Sequence, residues 1–222
     1  MPDITAPGSG EAATRATEEA AFYHEAALNA SWTGTRLAIG GMSFLFGAFA
    51  FAYFYLQSQN SDAKWLPAGS PTPHAWWGVT IMALVVVSAI VQTVGLQQLK
   101  AGRKGPWMQA AVVALLLGVA AVGLQIAELL NLPFQPAQSG FASVFTGFWP
   151  VALVIWLAAM IWLEILIMWA RGIPAISFVE QPPTYTETFG VQRFQATLSA
   201  FTTVWNYLAI ITFIFWLLFY VR

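Results

Sequence analysis

The chain has 222 residues, a formal net charge of −1, 58% hydrophobic residues and only 9% charged ones. Soluble domains carry roughly 25% charged residues, so this composition excludes an ordinary water-facing fold and indicates an integral membrane protein. Cysteine is absent, which removes disulfides, thiolate metal sites and cysteine nucleophiles together.

Residues 1 to 10 hold proline, glycine and serine and read as a disordered lead. The first 30 residues lack the basic start and apolar core of a cleaved signal peptide. From Glu11 to Asn29 the chain is helix-like, with Ala12, Ala16, Ala20 and Leu28 as good helix formers. Phe22, Tyr23 and His24 add an amphipathic patch, which suits a solvated surface helix or one docked on a protein partner or in the headgroup zone.

Residues 31–222 then form one membrane domain. A spanning helix needs about 20 mostly apolar residues, and five segments qualify: Trp32 to Leu56, Trp76 to Leu99, Trp107 to Leu130, Phe141 to Ala170, and Leu198 to Val221. Backbone groups in lipid must be bonded within the segment, so runs of this length are helices. The predicted fold is all-α, a bundle of five transmembrane helices. Between the first two spans, Gln57 to Ala75 carries Lys64, Trp65, Pro67, Pro71, Pro73 and His74 and reads as an ordered cap on the membrane surface. Lys100 to Pro106 reads as a tight hairpin. The stretch Arg171 to Thr197, with Pro174, Pro182 and Pro183, is the longest interior segment outside the spans and is suited to packing on a neighbour.

Basic residues in short loops stay on the cytoplasmic side. With the N-terminus inside, that side holds Arg15, Arg36, Lys100, Arg103, Lys104, Arg171 and Arg193, against Lys64 and Arg222 outside. The expected topology therefore has a cytoplasmic N-terminus and an external C-terminus. Tryptophan favours the membrane interface, and Trp32, Trp76, Trp77, Trp107 and Trp169 stand at predicted helix ends. Trp149, Trp156 and Trp162 lie along one broad face of the fourth span, which fits lipid contact or interhelix packing.

Polar residues within spans cost free energy and are the natural candidates for a site. Ala114, Gly118, Ala121, Gln125 and Glu128 form one seam on the third span, where small residues admit a neighbouring helix and polar ones bond across it. Glu128 lies toward the outer end, near enough to reach water. Glu164 lies roughly 9 Å inside the fourth span if Ala170 marks the boundary. Arg36 stands at similar depth on the first span, and an ion pair between the two is expected to clamp these helices, with Arg171 as the alternative partner of Glu164. Gln92 and Asn206 fall in the inner half and would form a polar cluster with Glu164 if three helices converge.

The candidate set is thus Arg36, Gln92, Gln125, Glu128, Glu164 and Asn206, in packing, lipid or partner contacts. No catalytic, cofactor-binding or metal residue is expected. The two histidines, His24 and His74, lie outside the spans, which leaves no bis-His haem site and no copper or zinc cluster in the membrane. Phosphate-cradling loops and helix-borne carboxylate–histidine pairs are also missing.

Four regions resemble subunit III of the haem-copper terminal oxidases in its five-helix bacterial form. The first span, from Arg36 through Gly40, Gly41, Met42, Ser43, Phe44, Phe46, Phe49 and Phe51 to Tyr53, Phe54 and Tyr55, runs into Lys64-Trp65-Leu66-Pro67-Ala68-Gly69. It is similar to the family's aromatic first helix and its Trp-Pro-Pro-x-Gly loop. Gly123-Leu124-Gln125-Ile126-Ala127-Glu128 resembles the family's Gly-Gln-x-x-Glu segment. Ser139-Gly140-Phe141-Ala142-Ser143-Val144-Phe145, followed by Thr146-Gly147-Phe148, is similar to the start of its fourth helix, and Trp205-Asn206-Tyr207-Leu208-Ala209 to its Trp-His-Phe-Val-Asp segment.

The departures are specific. Gly41-Met42-Ser43 stands where the family keeps a membrane-embedded Glu, Trp149 and apolar neighbours where it has histidines, and Asn206 and Ala209 at its His and Asp positions; only Glu128 carries over as an acidic match. The resemblance implies a non-catalytic accessory subunit of an aerobic terminal oxidase of the cytochrome c oxidase type in a bacterial plasma membrane. Such a subunit stabilises the catalytic subunit I, meets subunit II and binds phospholipid. Haem and copper belong to the partner subunits, and nucleic acid is not among the expected partners. An accessory subunit of a nitric oxide reductase or another respiratory complex fits the same residues, and a free-standing channel or carrier is the remaining reading.

Overall fold

In the computed structural model, residues 9–60, 65–67, 69–178 and 185–221 are described. The predicted disordered lead therefore lies largely outside the described residues, as does Lys64. Five long helices run in the order α1 (Ser9–Gln59), α2 (Ala75–Lys100), α3 (Lys104–Leu130), α4 (Gly140–Arg171) and α5 (Tyr185–Tyr220), with a 3-10 turn at Ala175–Phe178 before α5. Each contains a stretch long and apolar enough to cross a bilayer. This is a multi-pass, all-α membrane protein.

Two helices exceed their predicted spans. The surface helix expected at 11–29 and the span expected from Trp32 are one continuous helix, α1, of 51 residues. Neither Ser31 nor Gly34 is strong enough to stop it, because the alanines, leucines and glutamates around them propagate a helix through the polar-to-apolar boundary. Similarly, α5 starts at Tyr185, inside the stretch expected to be a connection.

The α2–α3 hairpin is as tight as expected. Ala101 N–H donates to the Gln97 carbonyl, Gly102 N–H to Leu99 and Arg103 N–H to Gln98. Gly102 has φ +77°, a left-handed conformation that favours glycine and ends the helix. Above the turn, Gly95 lets the two helices meet closely: a Cβ there would lie 2.8 Å from the Ala110 Cβ.

Helix α5 packs against α1, α2 and α4, while α3 packs against α2 and α4. Helices α1 and α5 run parallel, and polar ties join them along their length. His24 Nε2 and Gln192 Oε1 are 3.0 Å apart, Ser31 and Thr197 hydroxyls 3.0 Å, and Ser43 and Tyr207 hydroxyls 2.9 Å. Tyr53 O–H donates to the Leu218 carbonyl at 2.8 Å.

Aromatic rings fill the bundle at the end that carries Tyr220. Phe148 stacks on Phe215 with ring centroids 3.8 Å apart, and Phe219 meets Phe141 and Phe145 edge-on. Aromatic pairs of this kind contribute about 0.5–1.5 kcal/mol each beyond their buried area. Trp65, between α1 and α2, lies on this end: it packs edge-on against Tyr53, and its carbonyl accepts from Phe141 N–H.

Trp107 departs from the interfacial expectation. It is fully buried and meets Phe194 edge-on at 5.5 Å, because α5 begins early enough to cover the start of α3. Trp149 and Trp156 are buried between helices rather than facing lipid, and half-buried Trp162 packs on Phe201.

Candidate functional site

The seam on α3 is buried throughout: Ala114, Gly118, Ala121, Gln125 and Glu128 all face neighbouring helices. Among the described residues, Glu128 is the one acidic or basic side chain in the buried set. It is 2% exposed, so it does not reach water as its position near a helix end had implied. Tyr220 from α5 covers it and donates its O–H to Oε1 at 2.6 Å, while Gln125 Nε2, one turn away on α3, donates to Oε2 at 3.0 Å. Both carboxylate oxygens are therefore satisfied, the condition for burying such a group at tolerable cost. Gly78 on α2 makes room for the Tyr220 ring, since a Cβ there would stand 2.6 Å from it.

From this cluster a series of polar ties descends through the bundle, each built in the same way. A hydroxyl gives its proton to a helix carbonyl and accepts a donor from another helix. Thr212 donates to the Leu208 carbonyl and accepts from Trp156 Nε1 at 3.2 Å. Ser88 donates to the Ala114 carbonyl at 2.8 Å and accepts from Trp205 Nε1 at 3.1 Å, which ties α2, α3 and α5 at one oxygen. Thr93 donates to Ala89 and accepts from Asn206 Nδ2 at 3.0 Å. Thr202 donates to Leu198 and accepts from Gln92 Nε2 at 3.4 Å.

Of the six sequence candidates, Gln125 and Glu128 are brought together. Gln92 and Asn206 both join α2 to α5, through separate threonine partners. Glu164 is exposed and does not join them, so no three-helix cluster forms.

The Arg36–Glu164 ion pair is also not formed. Both side chains are exposed, and among the described residues no ion pair links either one to a partner, Arg171 included. Helix length explains this. With 32 residues, α4 is about 48 Å long against a hydrocarbon core of about 30 Å. An α4 centred in the bilayer would place Ala170 beyond the hydrocarbon and Glu164 near its edge, where an exposed carboxylate needs no buried cation.

The partners missed from sequence are Tyr220, Ser88, Thr93, Thr202, Thr212 and the indoles of Trp156 and Trp205. Spacing offers no signal for them, because every tie crosses between helices. The histidines stay at the periphery: His24 pairs with Gln192 and meets Phe189 at a tilt, and His74 precedes α2. No group of three or more metal-ligating side chains occurs among the described residues.

Between α2 and α5 an open groove of about 630 Å³ faces outward, lined by Met82, Val86, Ile90 and Phe213, with Thr93 and Asn206 as its polar floor. No family model matches this chain, and no curated protein matches its sequence.

Proposed function

We propose that this chain is a non-catalytic accessory membrane subunit of an aerobic respiratory terminal oxidase, where it buttresses the catalytic subunit and holds phospholipid. The cytochrome c oxidase type is taken from the resemblance at the first span, the Gln125–Glu128 segment and the last helix. Orientation follows the basic-residue count, with the N-terminus cytoplasmic.

The observation that carries the reading is where unfilled space lies. The interior is packed with aromatic rings and hydrogen-bonded polar side chains, with no constellation of acid, base and nucleophile among the described residues. The larger open space lies on the outer face between α2 and α5. The α2–α5 groove suits an acyl chain. On α1, Gly34, Gly40, Gly41 and Gly47 have no atom within reach of an added Cβ, and Leu37, Phe44 and Phe51 stand exposed beside them, an apolar face with no partner within the chain that is open to lipid or another helix. Haem and copper reside in the partner subunits on this reading, and Glu128 holds α3 to α5 rather than transferring protons.

The test is affinity purification of the chain in mild detergent, with identification of what accompanies it and a reduced-minus-oxidised haem spectrum. Haem bands together with a large oxidase subunit support the assignment. A copurified complex with a non-haem-iron reductase centre moves the chain to a nitric oxide reductase, and a lone colourless protein overturns the accessory reading.

A further inference from the structure

The open groove between α2 and α5 is apolar along its length and polar near one end. Met82, Val86, Ile90 and Phe213 form the apolar part, and the half-buried Thr93 and Asn206 form the polar one. Thr93 gives its proton to the Ala89 carbonyl and accepts one Asn206 N–H at 3.0 Å. Asn206 Oδ1 stands 3.2 Å from the same hydroxyl and competes for that single proton. The second Asn206 N–H has no protein acceptor among the described residues. Because Asn206 is only half-buried and lines the groove, its amide is open to an occupant.

Depth decides what that occupant must carry. The midpoint of α2 falls between Val87 and Ser88, about 8 Å along the axis from Thr93. With α2 centred in a hydrocarbon core about 30 Å thick, the Thr93–Asn206 pair stands about 7 Å inside the edge of that core. A polar group there is costly unless it is matched. The acyl chain of a phospholipid fills the apolar length of the groove but offers Asn206 nothing, since esters and headgroups lie outside the hydrocarbon.

We propose that the groove binds an isoprenoid quinone, with its ring at the Thr93–Asn206 end and its tail along the apolar wall. A ring carbonyl accepts the free Asn206 N–H, and in the reduced form a ring hydroxyl donates to Asn206 Oδ1. One polar pair suits one small neutral head. No cationic side chain lines the groove to meet a phosphate or a carboxylate, and a diacylglycerol brings two esters and a hydroxyl that belong at the interface. A partner helix is too bulky. From Met82 to Thr93 the groove runs about 16 Å, and a helix of that length and about 10 Å across occupies about 1,250 Å³, against about 630 Å³ of open space. This inference does not rest on the oxidase assignment.

The molecule contains its own control. The face of α1 with Leu37, Phe44 and Phe51 is exposed and apolar, so a quinone that merely dissolves in the bilayer meets it as often as it meets the groove. Full-length protein in phosphatidylcholine nanodiscs is irradiated with an azido-ubiquinone, and the labelled peptides are identified by mass spectrometry. One net hydrogen bond corresponds to about tenfold in binding, and label on 82–94 and 206–213 is expected to exceed that on α1 by about this factor. Unlabelled ubiquinone competes and dioleoylglycerol does not. Equal labelling of all three segments overturns the proposal, and displacement by dioleoylglycerol gives the groove to an ester lipid instead. Asn206→Leu deletes the hydrogen bonds and is expected to abolish the preference. Ile90→Trp fills the groove from an exposed position and leaves the Thr93–Asn206 pair in place, so it decides the matter should Asn206→Leu not fold; wild-type labelling in Ile90→Trp overturns the site.

Discussion

Helices α1 and α5 run side by side and are comparably apolar, yet the bundle uses them differently. Only 11% of the most apolar window of α1 is buried inside the protein, against 44% for α5. In water, two such stretches would both be driven inward. In a bilayer, lipid is as apolar as a protein core, so hydropathy reports membrane crossing and says nothing about burial. What separates the two helices is side-chain shape and the placement of hydroxyls and indoles. Helix α5 supplies Trp205, Asn206, Thr212 and Tyr220 to ties with three other helices, whereas α1 presents Leu37, Phe44, Phe51 and Phe54 outward.

The contrast breaks most sharply at Trp205. Trp205→Ala removes a fully buried ring and its N–H bond to Ser88, and is expected to lower stability by about 3–5 kcal/mol, read as an earlier midpoint in denaturant titration of the detergent-solubilised protein. Tyr220→Phe keeps the ring and deletes one donor to Glu128; hydrogen bonds to charged groups contribute about 1.5–3 kcal/mol, and the same titration reports the loss. If Tyr220→Phe is neutral, the cluster is not what joins α3 to α5 at that end. Gly95→Val puts side-chain bulk where the Ala110 Cβ already stands, and overpacking of this kind costs about 1–3 kcal/mol; reduced folded yield on size exclusion is the readout.

On α1 the expected effects are small. Phe44 is 84% exposed, and Phe44→Ala should change stability by no more than about 0.5 kcal/mol in the same titration. Gly40→Leu sharpens the comparison further. It leaves the stability of the isolated chain unchanged while lowering recovery of the proposed catalytic subunit. A variant that destabilises the isolated chain as strongly as Trp205→Ala would show that α1 belongs to the core after all.

The three middle helices are legible in the sequence almost to the residue, since each is bounded by loops rich in proline, glycine or charge around a single apolar run. The outer two are not. The boundary near residue 30 is a change of polarity without a change of helix propensity, so polarity there imitates a helix end. At α5, the apolar run begins well after the helix does. Within the site, the seam from Ala114 to Glu128 is visible because its spacing is local to one helix. Its completion by Tyr220, 92 residues away, is not, nor are the threonine partners of Gln92 and Asn206. Arg36 and Glu164 mislead for a different reason: matching depth says nothing about which way a side chain faces, and α4 is longer than the hydrocarbon core is thick.

The unbroken course of α1 from Ser9 to Gln59 sets a rule for its amino-terminal part. There is no joint in which an added residue could be absorbed. One extra residue before His24 would rotate everything preceding it by about 100° and advance it by about 1.5 Å, while the His24–Gln192 and Ser31–Thr197 ties hold the remainder in place. The segment beyond the membrane is thus keyed to the span like a shaft to a gear. A neighbour that engages Phe22 and Tyr23, both largely exposed, meets them at one angle and one height.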